Sequence, residues 1–369
     1  MDNRAIVIGA SAVGSITARE LASRGIEVDL LEEDSRVGKF GKCGGIFSKH
    51  GMDYTGVNYK DLILNEIKGA RIIAGKEELN VKTPQTQAVV LSRQAFDERA
   101  ADEAVAAGAN LHLNNRVRNF DTNGKITVKT TDDHAYSANV AIGCDGNSSI
   151  TARKLAFPEI LQSDYVISYQ AEFDKANVPT PDIVDLILDH RHYKNFFAWT
   201  IPISDKKIRI GIATSEIKKI EEAKKAAFAD PYLSSLIKNA TKTFEFYHMI
   251  PIKYRKQTQK TYGKSHVLLA GDSAGQVKAT SGGGVNFGAK CAKVAAEETA
   301  NYLLYEKPLE YEKNWRKKHG KTLKFHYILH RMYRLMPNWL SEMGIGVSRR
   351  IGMQPLLEKY GDMDYVFKI

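Results

Sequence analysis

The stretch Ala5-Ile6-Val7-Ile8-Gly9-Ala10-Ser11-Ala12-Val13-Gly14 decides the fold. Residues 4–9 read as a continuous apolar strand that meets a glycine turn. Gly14 to Ser23 reads as a helix, and Glu27-Val28-Asp29-Leu30-Leu31-Glu32 as the next strand. Strand, glycine turn, helix and strand in this order form the opening βαβ unit of a dinucleotide-binding fold. Gly9 and Gly14 suit that turn because backbone N–H groups must approach a pyrophosphate closely and the helix must start tightly. Ser11 stands where the pattern usually has its second glycine, and serine is the smallest tolerable replacement. Glu32, ending the second strand, is placed to accept hydrogen bonds from a ribose hydroxyl. Gly9, Ser11, Val13, Gly14 and Glu32 are therefore the first candidate cofactor contacts.

Outward from this unit, residues 35–60 are rich in glycine and poor in periodicity, which predicts a long functional excursion. Ser92 to Gly108 reads as a capped helix, with Phe96, Ala100, Ala104 and Ala107 near helical spacing. Residues 111–143 suggest strands, a hairpin near Asn123-Gly124, and a buried strand Asn139–Gly143. From 164 to 214 the pattern is mostly β, with strands near Val166–Phe173, Ile183–Leu188, Phe196–Ile201 and Ile208–Ala213. A helix near Lys218–Ala229 and a strand near Phe244–Met249 follow. His266–Gly271 is another buried strand, and Gly284–Leu304 a long helix. Beyond about residue 309 the chain reads as helical, with Phe325, Ile328, Leu329, Met332 and Leu335 at amphipathic spacing.

A chain of 369 residues with 43% hydrophobic and 26% charged residues has the balance of a globular protein and exceeds one ordinary compact domain. The apparent nucleotide-binding strands occupy both ends of the sequence, so the β-rich middle is an insertion. The expected architecture is α/β: a discontinuous Rossmann-like cofactor domain over 1–155 and 262–305, a β-rich substrate domain over 156–261, and a helical C-terminal region over 306–369. The N-terminus, Met1-Asp2-Asn3-Arg4, passes at once into a strand and does not read as a secretory signal. No window approaches the roughly 20 apolar residues of a membrane span. Cys43, Cys144 and Cys291 show no close pairing, which argues against a disulfide framework and for a reduced, cytoplasmic setting. The formal charge of +10 concentrates between Lys307 and Arg350. Such a patch suits nucleic acid, an anionic membrane face or water. No nucleic-acid motif accompanies it.

Two further motifs directly follow buried strands: Cys144-Asp145-Gly146-Asn147-Ser148-Ser149, with Arg153 after it, and Gly271-Asp272-Ser273-Ala274-Gly275. Paired Asp-Gly and Gly-Asp motifs at these places resemble those of the FAD enzymes related to aromatic hydroxylases. That resemblance implies FAD rather than NAD, with Asp145 near the cofactor and the Asp272 carboxylate on the ribityl chain. The segment Leu91-Ser92-Arg93-Gln94-Ala95-Phe96-Asp97 resembles the Arg-x-x-Phe-Asp of this class, which implies that Arg93 lies against the cofactor. Val117 falls where the class places backbone contacts to the adenine.

Three segments narrow the class. Lys42-Cys43-Gly44-Gly45-Ile46-Phe47-Ser48 resembles the Cys-Gly-x-Gly stretch of geranylgeranyl reductases, with Ile46 in place of the second glycine. Lys278-Ala279-Thr280-Ser281-Gly282-Gly283-Gly284-Val285 resembles their Lys-Pro-Thr-Ser-Gly-Gly-Gly-Ile. Phe197-Ala198-Trp199-Thr200-Ile201-Pro202 resembles their Tyr-x-Trp-x-Phe-Pro. The resemblance covers the chain up to about residue 305. It implies an FAD-dependent reductase that saturates double bonds of isoprenoid lipid chains. Cys43, Gly44, Gly45, Gly284 and Val285 would lie beside the flavin, and Phe197, Trp199 and Pro202 would line the prenyl pocket. No metal site is implied.

Taken alone, Phe197, Trp199 and Pro202 are ordinary strand residues packing a core, and Cys43 is a small buried hydrophobe. Beside a flavin, Cys43 becomes the candidate proton donor. Such a reaction needs an electron donor, which the sequence leaves open among reduced nicotinamide, a ferredoxin and a deazaflavin; a long, greasy substrate gives the basic tail a second reading, peripheral contact with the inner membrane face. The competing classes are a flavin monooxygenase or halogenase of the same fold, since Phe197–Pro202 also resembles the halogenases' Trp-x-Trp-x-Ile-Pro. The Thr280–Gly284 run and Cys43 favour the reductase.

Overall fold

The computed structural model describes residues 2–39, 41 and 43–367. The first third of the chain carries β1 (Arg4–Ile8), α1 (Ala12–Ala22), β2 (Glu27–Leu31), β3 (Ile46–Ser48), α2 (Lys49–Thr55), β4 (Ile63–Ile67), β5 (Gly69–Ala74), β6 (Glu77–Lys82), β7 (Ala88–Leu91), α3 (Arg93–Ala106) and β8 (Asn110–His112). Next come β9 (Val117–Asp121), β10 (Ile126–Thr130), β11 (Ala135–Ala138), β12 (Val140–Gly143), α4 (Ile150–Lys154), β13 (Tyr165–Asp174), β14 (Ile183–Leu188), β15 (Ala198–Pro202) and β16 (Lys207–Thr214). The remainder carries α5 (Ile220–Ala229), α6 (Pro231–Ile237), β17 (Thr241–Pro251), β18 (Gln259–Tyr262), β19 (Ser265–Leu269), α7 (Val285–Tyr305), α8 (Tyr311–Trp315), α9 (Lys321–Arg334), α10 (Asn338–Arg350), α11 (Gln354–Tyr360), and the two-residue strands β20 (Gly361–Asp362) and β21 (Val366–Phe367).

The cofactor half is a six-stranded sheet in the order β18-β19-β12-β1-β2-β8. It is parallel throughout except for β18, which pairs antiparallel with β19. A central parallel strand is covered on both faces, and β1 obeys this: Ala5, Ile6 and Val7 are fully buried. Its register sets Ile6 opposite Ala141 and Ile8 opposite Gly143, which brings the Gly9 turn beside the Cys144-Asp145 turn. Helices α1 and α7 pack tightly because small residues face each other. A Cβ on Gly288 would lie 2.5 Å from Val13 Cγ2. The expected helix Ser92–Gly108 is α3, and the Ser92 hydroxyl caps it by accepting from Ala95 N at 3.3 Å.

The second half is a seven-stranded sheet, β17-β13-β16-β15-β14-β5-β6. The strands expected between 164 and 214 are all present, Ile183–Leu188 with the same bounds and the others with ends shifted by one or two residues. The sheet also takes two strands from within the first third of the chain. The hairpin β5–β6 pairs through β5 with β14, Ile183 opposite Gly69. The apolar strand β14 would otherwise present an open edge, and the hairpin covers it. Residues 69–82, which the sequence reading places in the stretch 1–155, pair into this seven-stranded sheet. The excursion 35–60 also holds regular structure, namely β3 and α2; β3 joins β7 and β4 in a small sheet between the two large ones.

The C-terminal region is helical from Tyr311, as its periodicity predicts, but α9 does not bury the face the pattern marks. Leu323, His326 and His330 point inward, while Phe325, Ile328, Met332 and Leu335 are exposed. No helix among the described residues is long and apolar enough to cross a membrane.

Candidate active site

One cavity of about 1470 Å³ runs between the two large sheets. Pockets for drug-sized ligands span roughly 300–1,000 Å³, so this one has room for a dinucleotide and a second molecule.

Its nucleotide end is built by the Gly9–Gly14 turn. Gly9 adopts a φ of +92°, and a Cβ there would meet Cys144 O at 2.7 Å. A Cβ on Gly14 would overlap Gly9 O. Both positions therefore require glycine. Ser11 has an ordinary extended backbone, φ −65°, and its side chain is exposed, so serine replaces glycine without strain. The Glu32 carboxylate reaches back across the turn, accepting from Ala10 N at 2.9 Å and from Asp34 N at 3.1 Å. Burial pushes its pKa above the ordinary value, against the pull of those two N–H groups. Val13 and Val117 line the same end.

The Asp-Gly and Gly-Asp turns are not equivalent. Asp145 commits its carboxylate to α4, accepting from Ser149 Oγ at 2.6 Å, Thr151 N at 2.8 Å and Thr151 Oγ1 at 2.9 Å. Asp272 lines the cavity with no hydrogen-bond partner for its carboxylate among the described residues. A Cβ on Gly284 would lie 2.6 Å from Asp272 Oδ1, so glycine at the start of α7 makes room for that carboxylate. Val285 follows as the first residue of α7 and also lines the cavity.

The middle of the cavity is lined by Cys43 and Gly44; Gly45, expected beside them, does not line it, and Lys42, which opens the quoted segment, lies outside the described residues. Gly45 adopts a φ of +72°, and a Cβ would strike Arg209 Nη1 and Leu91 O. Cys43 is half-buried, and its sulfur accepts from Gly45 N at 3.4 Å. Arg93 lies against Cys43 and bonds Asp97 Oδ1 through Nε at 2.8 Å. Burial disfavours the Arg93 charge, but the Asp97 and Cys43 groups outweigh it and hold the guanidinium firmly protonated. Asp97 itself is pushed above the ordinary carboxyl range by burial, with Arg93 opposing. The same Asp97 Oδ1 accepts from Ala12 N at 2.9 Å, joining Arg93 to the start of α1.

The far end is apolar, with Ile72, Val184, Ile201, Ile250 and Leu329 among its walls. Phe197 and Trp199 line it, their rings edge-to-face at 6.0 Å. Pro202 does not line the cavity. It lies three positions after Trp199, so strand alternation turns it to the opposite face; its carbonyl accepts from Asn65 Nδ2 at 3.0 Å. A Cβ on Gly211 of the neighbouring strand would overlap the Trp199 ring, so that glycine gives the indole its bed.

Two polar residues that hold this site, Gln170 and Arg209, carry no motif. Gln170 accepts from Trp199 Nε1 at 3.0 Å and donates to Cys43 O at 3.2 Å. Arg209 donates to Gly44 O at 3.0 Å and Leu91 O at 3.3 Å, and is held by Glu172 at 3.1 Å. Their only signal in the sequence is a polar side chain on a strand that packs the core. Cys144 is an inert thiol, its pKa pushed up to about 12 by burial.

The residues present suit FAD on two structural grounds. The Gly9 and Gly14 cradle admits no side chain, and the Asp272 carboxylate faces the cavity unpartnered. Comparison with known proteins agrees. A digeranylgeranylglycerophospholipid reductase of Methanopyrus kandleri is 26% identical over 88% of this chain and 85% of its own length. A geranylgeranyl bacteriochlorophyll reductase-like protein of Thermoplasma acidophilum superimposes with a TM-score of 0.83 at 19% identity, over 93% of this chain and 90% of that one. A flavin-dependent brominase superimposes with a TM-score of 0.77 at 16% identity, over 99% and 94%. At such identities the two structures show a common fold. A family model described as an FAD binding domain matches residues 2–303, and the chain therefore belongs to that family of FAD-binding flavoproteins.

Proposed function

We propose that this chain is an FAD-dependent reductase that saturates C=C bonds in geranylgeranyl or other polyprenyl chains of membrane lipids. The observation that carries the reading is the continuity of one cavity from the Gly9 turn, past Cys43, to the apolar walls around Trp199. The likeness to a protein named digeranylgeranylglycerophospholipid reductase over most of both chains supports the substrate class.

Gly9, Ser11, Gly14 and Glu32 would hold the adenosine and pyrophosphate, and Asp272 the ribityl chain. Reduced FAD bound in this way supplies a hydride. An isolated trisubstituted alkene is not polarised, so an acid must deliver a proton to one carbon as the hydride reaches the other. Cys43 is the residue we assign to the proton, held at the turn by Gly45 N. The carbon that receives the hydride carries tertiary-cation character as the proton arrives. The face of Trp199, locked by Gln170, stabilises that charge. The product gains two hydrogens per bond, one as hydride and one as proton. Electrons come from reduced nicotinamide, a ferredoxin or a deazaflavin.

The test is mass spectrometry of an unsaturated archaeal-type ether lipid incubated with the FAD-loaded protein and dithionite as reductant. A gain of two hydrogens per double bond is expected. No mass shift in geranylgeranyl, quinone or chlorophyll-precursor lipids overturns the reading. The halogenase alternative shares the fold and the Trp199 segment, and it requires oxygen and halide; turnover without oxygen removes it.

A further inference from the structure

The outer face of α9 is the wrong way round for a globular protein. Phe325, Ile328, Met332 and Leu335 follow the 3-4-3 spacing of a single helical face, and that face is in solvent, Leu335 being 86% exposed. Helix α10 carries a second exposed row. Trp339, Met343, Val347 and Ile351 repeat every fourth residue and are exposed, Trp339 at 63%. The opposite side of α10 is seated on the β5–β6 hairpin, where a Cβ on Gly346 would meet Glu77. Scattered exposed apolar side chains are normal, but a stripe along two successive helices marks a binding surface.

Charge says which kind. Between residues 321 and 351 the sequence holds six lysines and arginines and one acid, Glu342. Glu342 is turned inward, where it accepts from Lys76 N at 3.2 Å. Lys321, Lys324, Arg331 and Arg334 flank the stripe on α9 and have no carboxylate partner among the described residues. An apolar stripe bordered by unpaired cations is the complement of an anionic lipid surface. The position adds a third argument. His326 and Leu329 of α9 line the cavity, so one helix carries both the wall of the apolar chamber and part of the exposed stripe. One helix diameter, roughly 10 Å, separates them.

We propose that the outer face of α9 and α10 docks in the interface of an anionic phospholipid bilayer, with the chain lying on the membrane. A prenyl chain would then enter the cavity beside α9 without crossing water. The second statement rests on the reductase reading; the first does not.

The test is flotation of the full-length FAD-loaded protein with vesicles of phosphatidylglycerol and phosphatidylcholine, compared with phosphatidylcholine alone. Binding to the anionic vesicles, weakened by high salt, with a blue shift of fluorescence that Trp339→Phe abolishes, is expected. Leu335→Asp and Trp339→Asp should each weaken binding at least about tenfold while flavin content is unchanged. Lys324→Glu with Arg331→Glu should weaken it by a comparable factor. Failure of the native protein to bind, binding untouched by Leu335→Asp, or a dimer in sedimentation that Leu335→Asp dissociates would each overturn the proposal, the last assigning the face to a second copy. Vesicle binding without any lipid reduction removes the reductase reading and leaves the docking face standing. Reduction of detergent-dispersed lipid without vesicle binding does the reverse.

Discussion

The Trp199 indole N–H donates to Gln170 Oε1 at 3.0 Å, and through Gln170 it is one side chain away from the backbone of Cys43. The ring proposed to face a developing cation and the loop proposed to supply the proton are thus fixed to one buried amide, which is 3% exposed. Gln170→Leu leaves the part-buried indole N–H of Trp199 and the Cys43 carbonyl without this partner, at no more than about 1–3 kcal/mol each. The expected result is retained flavin, a lowered melting temperature, and a turnover number reduced about tenfold or more. KM should change less than kcat, because the apolar walls are intact. Unchanged kcat in a folded, flavin-loaded Gln170→Leu protein would separate Trp199 from the chemistry.

Cys43 carries a sharper expectation. If its thiol delivers the proton, Cys43→Ala should cost about 10²–10⁴ in turnover, the usual worth of a positioned acid. Its loop should survive, because Gly44 O and Gly45 are held by Arg209 and Leu91 rather than by the thiol. Cys43→Ser, smaller and less acidic, should fall between. Flavin content and visible spectrum are the controls. Full turnover in Cys43→Ala takes Cys43 out of the mechanism.

The cofactor end was the legible part of this protein, for a physical reason. Gly9, Gly14 and Glu32 act through local backbone geometry, and the strands and helix around them are contiguous in sequence. The substrate end depends on pairing between distant segments. Nothing in Gly69–Lys82 announces that it will cap β14, some 100 residues later, because the pairing answers an open edge rather than a local pattern. Trp199 and Pro202 show the limit from another side. The motif joins them, yet their odd separation on a strand forces them to opposite faces. The same holds for α9. Its spacing declared a helix with one apolar face, but only the packing of Leu323, His326 and His330 shows that this face is turned away from the protein.

His330 should make the protein sensitive to mild acid. It is buried against Phe196, at 6.2 Å between ring centroids, and its Nε2 has no hydrogen-bond partner among the described residues. Burial, with Arg334 nearby, lowers its pKa to about 4. An unfolded histidine titrates near 6.5, so above that value neither state is protonated and the contribution to stability is constant. As pH falls from 6.5 toward 4, only the unfolded state gains a proton, and stability declines by at most about 3 kcal/mol. His330→Leu should flatten the melting temperature over that window relative to the native protein. An equal slope in both proteins would place the acid sensitivity elsewhere.

A second acid transition should come from the pair Lys278–Asp364, 2.6 Å apart and almost completely buried. Asp364 also accepts from Asn286 Nδ2 at 3.2 Å and bonds Ser48, so one carboxylate ties the C-terminal segment to α7 and to the cap of α2. Burial opposes its charge, yet Lys278 and these donors hold its pKa below the ordinary carboxyl value. Its contribution is therefore complete above about pH 4, and is lost as pH falls through the lower folded value, below the window assigned to His330. Asp364→Asn leaves the Lys278 charge buried without a counter-ion and should cost about 3–5 kcal/mol. Adding Lys278→Met removes that charge and should recover part of the loss, a coupling that two independent surface residues would not show. Because Lys278 Cε lies 2.8 Å from where a Cβ on Gly283 would fall, the pair also packs against the loop that presents Gly284 to the cavity. Flavin retention measured by gel filtration should accordingly decline in Asp364→Asn and return in the double variant. Equal melting temperatures for the native protein and Asp364→Asn would show that the pair does not bear on stability.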